Sequence, residues 1–358
     1  MQIVINAIVF VLSTYLSLTN SLADFLSNTL SLEPQLTETR EEAPLANLPS
    51  FFGDSLPDIL LRSNEYQQAA LGAAAGLQGG TTDEPLSALV NIFCTFSTDE
   101  SIRTTTGSGF FIDPDGVIMT NAHIAQFLLL EKTEQFGDAE CIVRTSSPAS
   151  PRYTADLLYI SPAWVEQNAA MVKAETPTGT GERDYALLYV SGDVAGWPLP
   201  AQFPALAFYD DLLPISIVDS SVTAAGYPAT ALIENGPSAD LMARKAETTI
   251  SELYTFGSNY ADVISVRGSE VGAEGASGGP IVNEDGEVIG MIATRGDDET
   301  DGSGSLRAIT LSHINRTIEE ETGFSLSQNL NGDLPYRAKV FAETLTPFLV
   351  EILERAGS

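Results

Sequence analysis

The sequence is poor in positive charge. Its 358 residues hold 17 Lys or Arg against 48 Asp or Glu, a net charge of −31 at pH 7. The only lysines are Lys132, Lys173, Lys245 and Lys339. That scarcity excludes a protein that tracks a phosphate backbone, which needs a basic footprint. It also excludes docking on an anionic leaflet. No nucleic-acid partner is expected. The acidic excess suits a soluble protein facing an outside medium, because self-repulsion opposes association. Cysteine is scarce too. Two residues, Cys94 and Cys141, cannot build a disulfide framework or a four-cysteine zinc site. No internal repeat or low-complexity tract is present. What remains is a globular composition, 44% apolar and 18% charged. At ~150 residues per domain, the length suggests roughly two domains.

Ile3 to Leu18 form an apolar run, and Ser21-Leu22-Ala23 give a small-x-small site before Asp24. This reads as a secretory signal over 1–23, with a retained anchor as the alternative. No Lys or Arg precedes the run, and the first basic residue is Arg40. Both a signal and an anchor ordinarily begin with positive charge. Extended to Leu22, the run reaches ~20 residues, enough to cross a bilayer. A buried helix or a misplaced start is the third reading. Under the first two the rest of the chain is exported, secreted or held at the membrane only by this segment.

Residues 24–86 mix Pro, acidic residues and short apolar patches. They read as a linker or pro-segment with one helix, Asp58 to Ala75, ended by Gly76 and Gly79-Gly80. From about Ser87 the texture changes to short β-rich runs. Leu89–Phe96 is followed by Gly109–Ile112, the turn Asp113-Pro114-Asp115-Gly116, and Val117–Thr120. Further strands are expected at Cys141–Arg144, Tyr153–Ile160, Ala186–Val190, Ile215–Ala224, Val263–Arg267, Pro280–Val282, Val288–Ala293 and Leu306–Ile309. Asn283-Glu284-Asp285-Gly286 supplies another turn. So many short strands predict an all-β barrel or sandwich. A helix from near Ser312 closes the region and stops at Gly323. The tail, 323–358, adds one amphipathic helical segment over Tyr336–Arg355.

Three separated segments carry chemistry. Thr120-Asn121-Ala122-His123 follows a strand. Arg183-Asp184-Tyr185-Ala186-Leu187-Leu188 places an Asp before an apolar strand. Gly275-Ala276-Ser277-Gly278-Gly279-Pro280 sets a Ser in a glycine-rich turn. A serine hydroxyl is a weak nucleophile until an imidazole takes its proton. The imidazole needs an acceptor on its other nitrogen to fix its tautomer. A developing oxyanion needs inward-pointing backbone N–H groups, and flanking glycines clear side chains from that turn. Asp156 competes with Asp184, since Leu-Leu-Tyr-Ile follows it, but it falls inside its strand.

This constellation resembles the trypsin/chymotrypsin-like serine peptidases, particularly the bacterial HtrA-like branch. Gly107-Ser108-Gly109-Phe110 and Gly226-Tyr227-Pro228 extend the match, which runs from about Ser87 to Glu321. The resemblance implies two packed six-stranded β-barrels over 87–322, about 87–200 and 201–312, with the active site between them. It implies His123 as general base, Asp184 as its orienting partner and Ser277 as nucleophile. The N–H groups of Gly275 and Ser277 would form the oxyanion hole. Val271 would lie at the specificity-pocket floor, and Ala293, Thr294 and Arg295 along its wall. Protein or peptide substrates and no cofactor follow. Ala276 stands where zymogens of this family carry an acid, so activation by a new N-terminus is not expected. The residues after the closing helix are too few for a PDZ domain, so a branch without one is expected. Val271 cannot pair with a cation, which points to neutral or small apolar side chains before the cut.

The remaining features have plainer readings. Cys94 and Cys141 fall on strands flanking the histidine segment, and in an exported protein they are expected to bridge. Two buried thiols are the alternative. His313, at the start of the closing helix, reads as structural or capping. The acidic run 297–301 offers oxygens but no EF-hand spacing, so a solvated loop is expected and no metal site. Asn315-Arg316-Thr317 matches a glycosylation sequon on a predicted helix. The leading expectation is a serine endopeptidase working through an acyl-enzyme. A silent barrel that binds a peptide, or a peptidase limited to its own 24–86 segment, are the alternatives.

Overall fold

The computed structural model describes residues 82–97, 102–131, 133, 138–173, 181–236, 239–257, 259–296 and 304–357. The expected signal or anchor, nearly all of the linker with its helix, and the acidic run 297–301 lie outside these residues.

Twelve strands close into two antiparallel barrels. The first holds β1 (Leu89–Ser97), β2 (Ile102–Asp113), β3 (Val117–Thr120), β4 (Asp138–Thr145), β5 (Ser150–Ile160) and β6 (Ala186–Asp193), in spatial order β1-β2-β3-β6-β5-β4. The second holds β7 (Ser221–Gly226), β8 (Arg244–Tyr254), β9 (Val263–Val266), β10 (Pro280–Val282), β11 (Val288–Arg295) and β12 (Leu306–Thr310), in order β10-β11-β12-β9-β8-β7. Closure removes the unpaired edges that an open sheet would present. The two expected turns do the same job in each barrel. Asp113 accepts from the N–H of Asp115 and of Gly116, and Gly116 takes a positive φ of 93°. Asn283 accepts from Asp285 and Gly286 in the same way, with Gly286 at φ 82°. In both, the side chain at the first position fixes the turn and glycine supplies the left-handed residue.

Cys94 and Cys141 sit opposite each other on β1 and β4 and form a disulfide. It ties the first strand of the barrel to the fourth across a 47-residue separation. Chain-entropy arithmetic gives such a loop about 4 kcal/mol. The first barrel's core includes Phe110, Ile118, Met119, Leu187 and Leu188, and is continuous with apolar residues of the closing helices such as Leu326, Phe341 and Leu349. A second cluster, around Val222, Ile250, Ile264 and Ile292, fills the other barrel.

Several local expectations are corrected. Ile215 does not begin a strand: Ile215–Ile217 is a 3₁₀ turn with Ile215 exposed, and β7 starts at Ser221. Strand β8 was not expected, because Arg244–Tyr254 is mostly polar and buries fully only Ile250. The tail is not one helix. Leu326–Asn329, Leu334–Thr344 and Thr346–Gly357 follow one another, with Pro347 at the start of the last. Proline is tolerated in a first helical turn but not in the middle of a helix. Among the described residues no helix is long and apolar enough to cross a membrane.

Candidate functional site

The site assembles from β3 outward. Val117–Thr120 is buried throughout and delivers Asn121 as the N-cap of a helix, Ala122–Leu130. His123 therefore sits in the first turn of that helix, almost fully buried. Asn121 makes no side-chain cap. Its amide instead donates to the carbonyl of Asp184 at 2.9 Å. The capping role passes to Asp184, a negative group at the positive end of the helix. One carboxylate oxygen accepts the backbone N–H of His123 at 2.9 Å, and the other meets the ring Nδ1 at 2.8 Å. Asp184 is wholly buried. A carboxylate can only accept, so it holds the proton on Nδ1 and leaves Nε2 as the lone-pair nitrogen. Asp156, the competing acid, lies exposed on β5 opposite Tyr189.

Ser277 lies in the tight turn before β10. Gly278 takes φ 88°, and a Cβ there would stand 2.0 Å from the Ser108 carbonyl oxygen and 2.7 Å from Thr120 Oγ1. The turn is thus pressed against the strands that carry His123, and only glycine fits. Ser108, buried on β2, binds it at two points. Its N–H donates to the Ser277 carbonyl at 2.7 Å, and its hydroxyl donates to the Gly275 carbonyl at 2.7 Å while accepting the N–H of Tyr227 at 2.8 Å. Thr120 Oγ1 donates to the Ser108 carbonyl at 2.7 Å, completing the seam. Ala276 packs into the second barrel's core, where an acidic side chain would be unpaired.

The Ser277 hydroxyl is partly exposed and donates to the Ala293 carbonyl at 3.3 Å; it forms no hydrogen bond to the His123 ring. Catalytic hydrogen bonds are often loose without substrate, and one χ1 rotation re-aims the oxygen. Around the turn, the N–H groups of Ala276, Gly278 and Gly279 donate to protein carbonyls, whereas those of Gly275, Ser277 and Glu274 meet no carbonyl among the described residues. The Glu274 carbonyl accepts from Ala229 N–H at 2.6 Å, which fixes the plane of the peptide that carries the Gly275 N–H.

Of the residues expected to shape specificity, Val271 is wholly buried in the second barrel's core, and Gly226 lies close beside its Cγ1. Ala293, Thr294 and Arg295 end β11, with Ala293 buried beside Ser277 and Arg295 exposed. His313 is the second buried histidine. Its Nδ1 meets Asp262 at 3.1 Å, and Arg316 joins the same carboxylate at 2.5 Å. Burial, with Arg316 adding, pushes its pKa below the ordinary value against the opposing pull of Asp262. Thr310 caps the closing helix through the N–H of His313. Motif reading missed the acids that hold the Asp184 loop from outside, Glu320 and Glu321, since only distance in the fold reveals them. Among the described residues no cluster of His, Cys, Asp and Glu has the makings of a metal site.

No curated protein matches the sequence. Among solved structures, an inactive form of a serine-to-alanine mutant of Rv3671c from M. tuberculosis H37Rv is 19% identical; the match covers 66% of this chain and 87% of that one, with a TM-score of 0.39. The active form of the Rv3671c protease from M. tuberculosis is 18% identical over 81% of this chain and 96% of that one, also at 0.39. A family profile described as a trypsin-like peptidase domain matches residues 107–291, just over half of the chain. That stretch runs from the glycine before Ser108 through both barrels to β11, and the chain belongs to the trypsin-like peptidase family.

Proposed function

We propose that the protein is a serine endopeptidase that hydrolyses protein or peptide substrates through an acyl-enzyme. The observation that carries this reading is the buried Asp184 carboxylate on His123 Nδ1, beside a glycine turn that presents a partly exposed serine. Ser277 Oγ attacks the scissile carbonyl as His123 Nε2 takes its proton. The oxyanion that forms is received by the N–H groups of Gly275 and Ser277, which no acceptor among the described residues occupies. His123 then hands its proton to the leaving amine, and water repeats the sequence on the ester. Asp184 fixes the tautomer and stabilises the imidazolium without taking the proton. Val271, Ala293, Thr294 and Arg295 shape the pocket in this reading, with neutral or small apolar side chains preferred before the cut.

A fluorophosphonate probe on the full chain tests it. Covalent labelling that vanishes in Ser277→Ala and His123→Ala supports the enzyme. Absence of labelling in the folded wild type would favour the second reading, a silent barrel that binds a peptide. The hydroxyl's bond to Ala293 in place of His123 is the observation on that side. We also propose export, with the N-terminal run as signal or anchor; the disulfide supports an oxidising compartment. N-terminal sequencing of the mature protein checks it.

A further inference from the structure

The residues that flank Asp184 are held from the opposite barrel. The closing helix Leu311–Thr322 leaves β12 of the second barrel and lays one face, Thr317, Glu320 and Glu321, against the loop that enters β6 of the first. Glu321 Oε1 accepts from Arg183 Nη1 at 2.5 Å and from Ser161 Oγ at 2.9 Å, and its other oxygen accepts from the Tyr159 hydroxyl. Glu320 accepts the second Arg183 nitrogen at 3.2 Å. Tyr185, on the other side of Asp184, bonds Thr317 Oγ1 at 2.8 Å and stacks on Tyr159 with ring centroids 6.0 Å apart. Burial, reinforced by Tyr185 and Glu321, holds the Tyr159 phenol well above its ordinary pKa, so it stays a donor.

Arg183 itself sits at φ 56°, a left-handed conformation that a residue with a Cβ adopts only where its surroundings impose it. The closing helix holds the Arg183 guanidinium at two points, Nη1 on Glu321 and Nη2 on Glu320, while the Arg183 carbonyl accepts the N–H of Tyr185 at 2.9 Å across Asp184. A backbone released from that hold would displace the next residue, Asp184, first. That residue tolerates little displacement, because its carboxylate must meet the N–H and the ring of His123 at once.

We propose that Glu321 and Arg183 form a positioning pair, through which the closing helix of the second barrel holds Asp184 in register with His123. The helix lies beyond residues 107–291, outside the stretch matched by the family profile. The inference rests on the triad reading above. It makes Glu321 a determinant of rate although it touches neither His123 nor Ser277, and it binds the integrity of the closing helix to the chemistry of the cleft.

The test uses the full chain carrying Glu321→Gln or Arg183→Ala. Alanine keeps the Cβ that disfavours the left-handed backbone but removes the guanidinium that holds it. Two readouts are compared: the saturating rate of fluorophosphonate labelling, and the downfield NMR resonance of the His123 Nδ1 proton. A small misplacement near a reacting group costs on the order of 10²-fold. We therefore expect labelling to slow roughly 10- to 100-fold with little change in probe affinity, and the proton resonance to shift or broaden. Arg183→Lys, which keeps the charge, should restore part of the rate. If both variants keep the wild-type labelling rate and the wild-type resonance, whatever their melting temperatures, the positioning role is refuted. A wild type that never labels would overturn the serine reading instead, and the proton resonance would still judge the pair.

Discussion

Replacing Asp184 by Asn gives the sharpest test of the site, because the structure dictates what the amide must do. The carboxylate now accepts twice, from His123 N–H at 2.9 Å and from Nδ1 at 2.8 Å. An amide offers one acceptor and one donor group. If its oxygen kept the ring, its NH₂ would face the backbone N–H, donor against donor. The satisfied arrangement puts the oxygen on the backbone N–H and the NH₂ on Nδ1. Nδ1 must then be the lone-pair nitrogen, and the ring proton moves to Nε2, where it blocks removal of the serine proton. The expected loss is on the order of 10⁴ in rate, about 5.5 kcal/mol of transition-state stabilisation. The fold should survive, since both partners remain bonded; removing a negative group from the helix N-terminus costs about 0.3–1 kcal/mol. Labelling kinetics with the fluorophosphonate probe, beside a melting curve, measure both. Asp156→Asn, exposed on β5, should do nothing and serves as the control. A loss of tenfold or less for Asp184→Asn would refute the assignment of tautomer control to this residue.

Other outcomes follow from single contacts. Gly278→Ala places a Cβ 2.0 Å from the Ser108 carbonyl at φ 88°, so it should abolish labelling and lower the melting temperature together. Reducing the Cys94–Cys141 disulfide, or Cys94→Ser with Cys141→Ser, should lower stability by about 4 kcal/mol in urea titration; no change would remove the entropic argument. His313, whose folded pKa lies below its unfolded value, is neutral in the fold and takes a proton more readily when unfolded. Its contribution to stability is complete above the ordinary histidine pKa of ~6.5 and is lost as pH falls from there toward the folded value. Asp262, Arg316 and Glu182 are the charged groups that act on it. The slope of melting temperature against pH below ~6.5 should shrink in His313→Gln.

The site was legible where chemistry needs local patterns. The glycines around Ser277, the strand before His123 and the apolar run after Asp184 all leave short signatures. Asp113–Gly116 and Asn283–Gly286 likewise declare their turns through an Asx residue and a glycine three positions later. What stayed hidden depends on distance along the chain. Nothing near Asp184 announces Glu321, which lies 138 positions from its partner Arg183; the contact exists only because the closing helix crosses to the first barrel. Strand β8 was illegible for another reason. Its side chains, Arg244 to Tyr254, are mostly polar and only Ile250 is fully buried, so it carries little apolar signal and is held by its neighbours' hydrogen bonds. Ile215 erred the opposite way, an apolar residue left exposed on a turn. Ala122–Leu130 is buried on every side, so its apolar run carries no helical period to read.

Ser108 has a consequence beyond its bonds. It belongs to one barrel, yet three of its hydrogen bonds end on backbone atoms of the other, two of them within the turn that carries the nucleophile. A gap opening along this suture would slacken that turn while each closed sheet stayed intact. Thermal inactivation should therefore run ahead of the loss of β-sheet circular dichroism, making the protein's working lifetime a property of its hinge and not of its cores.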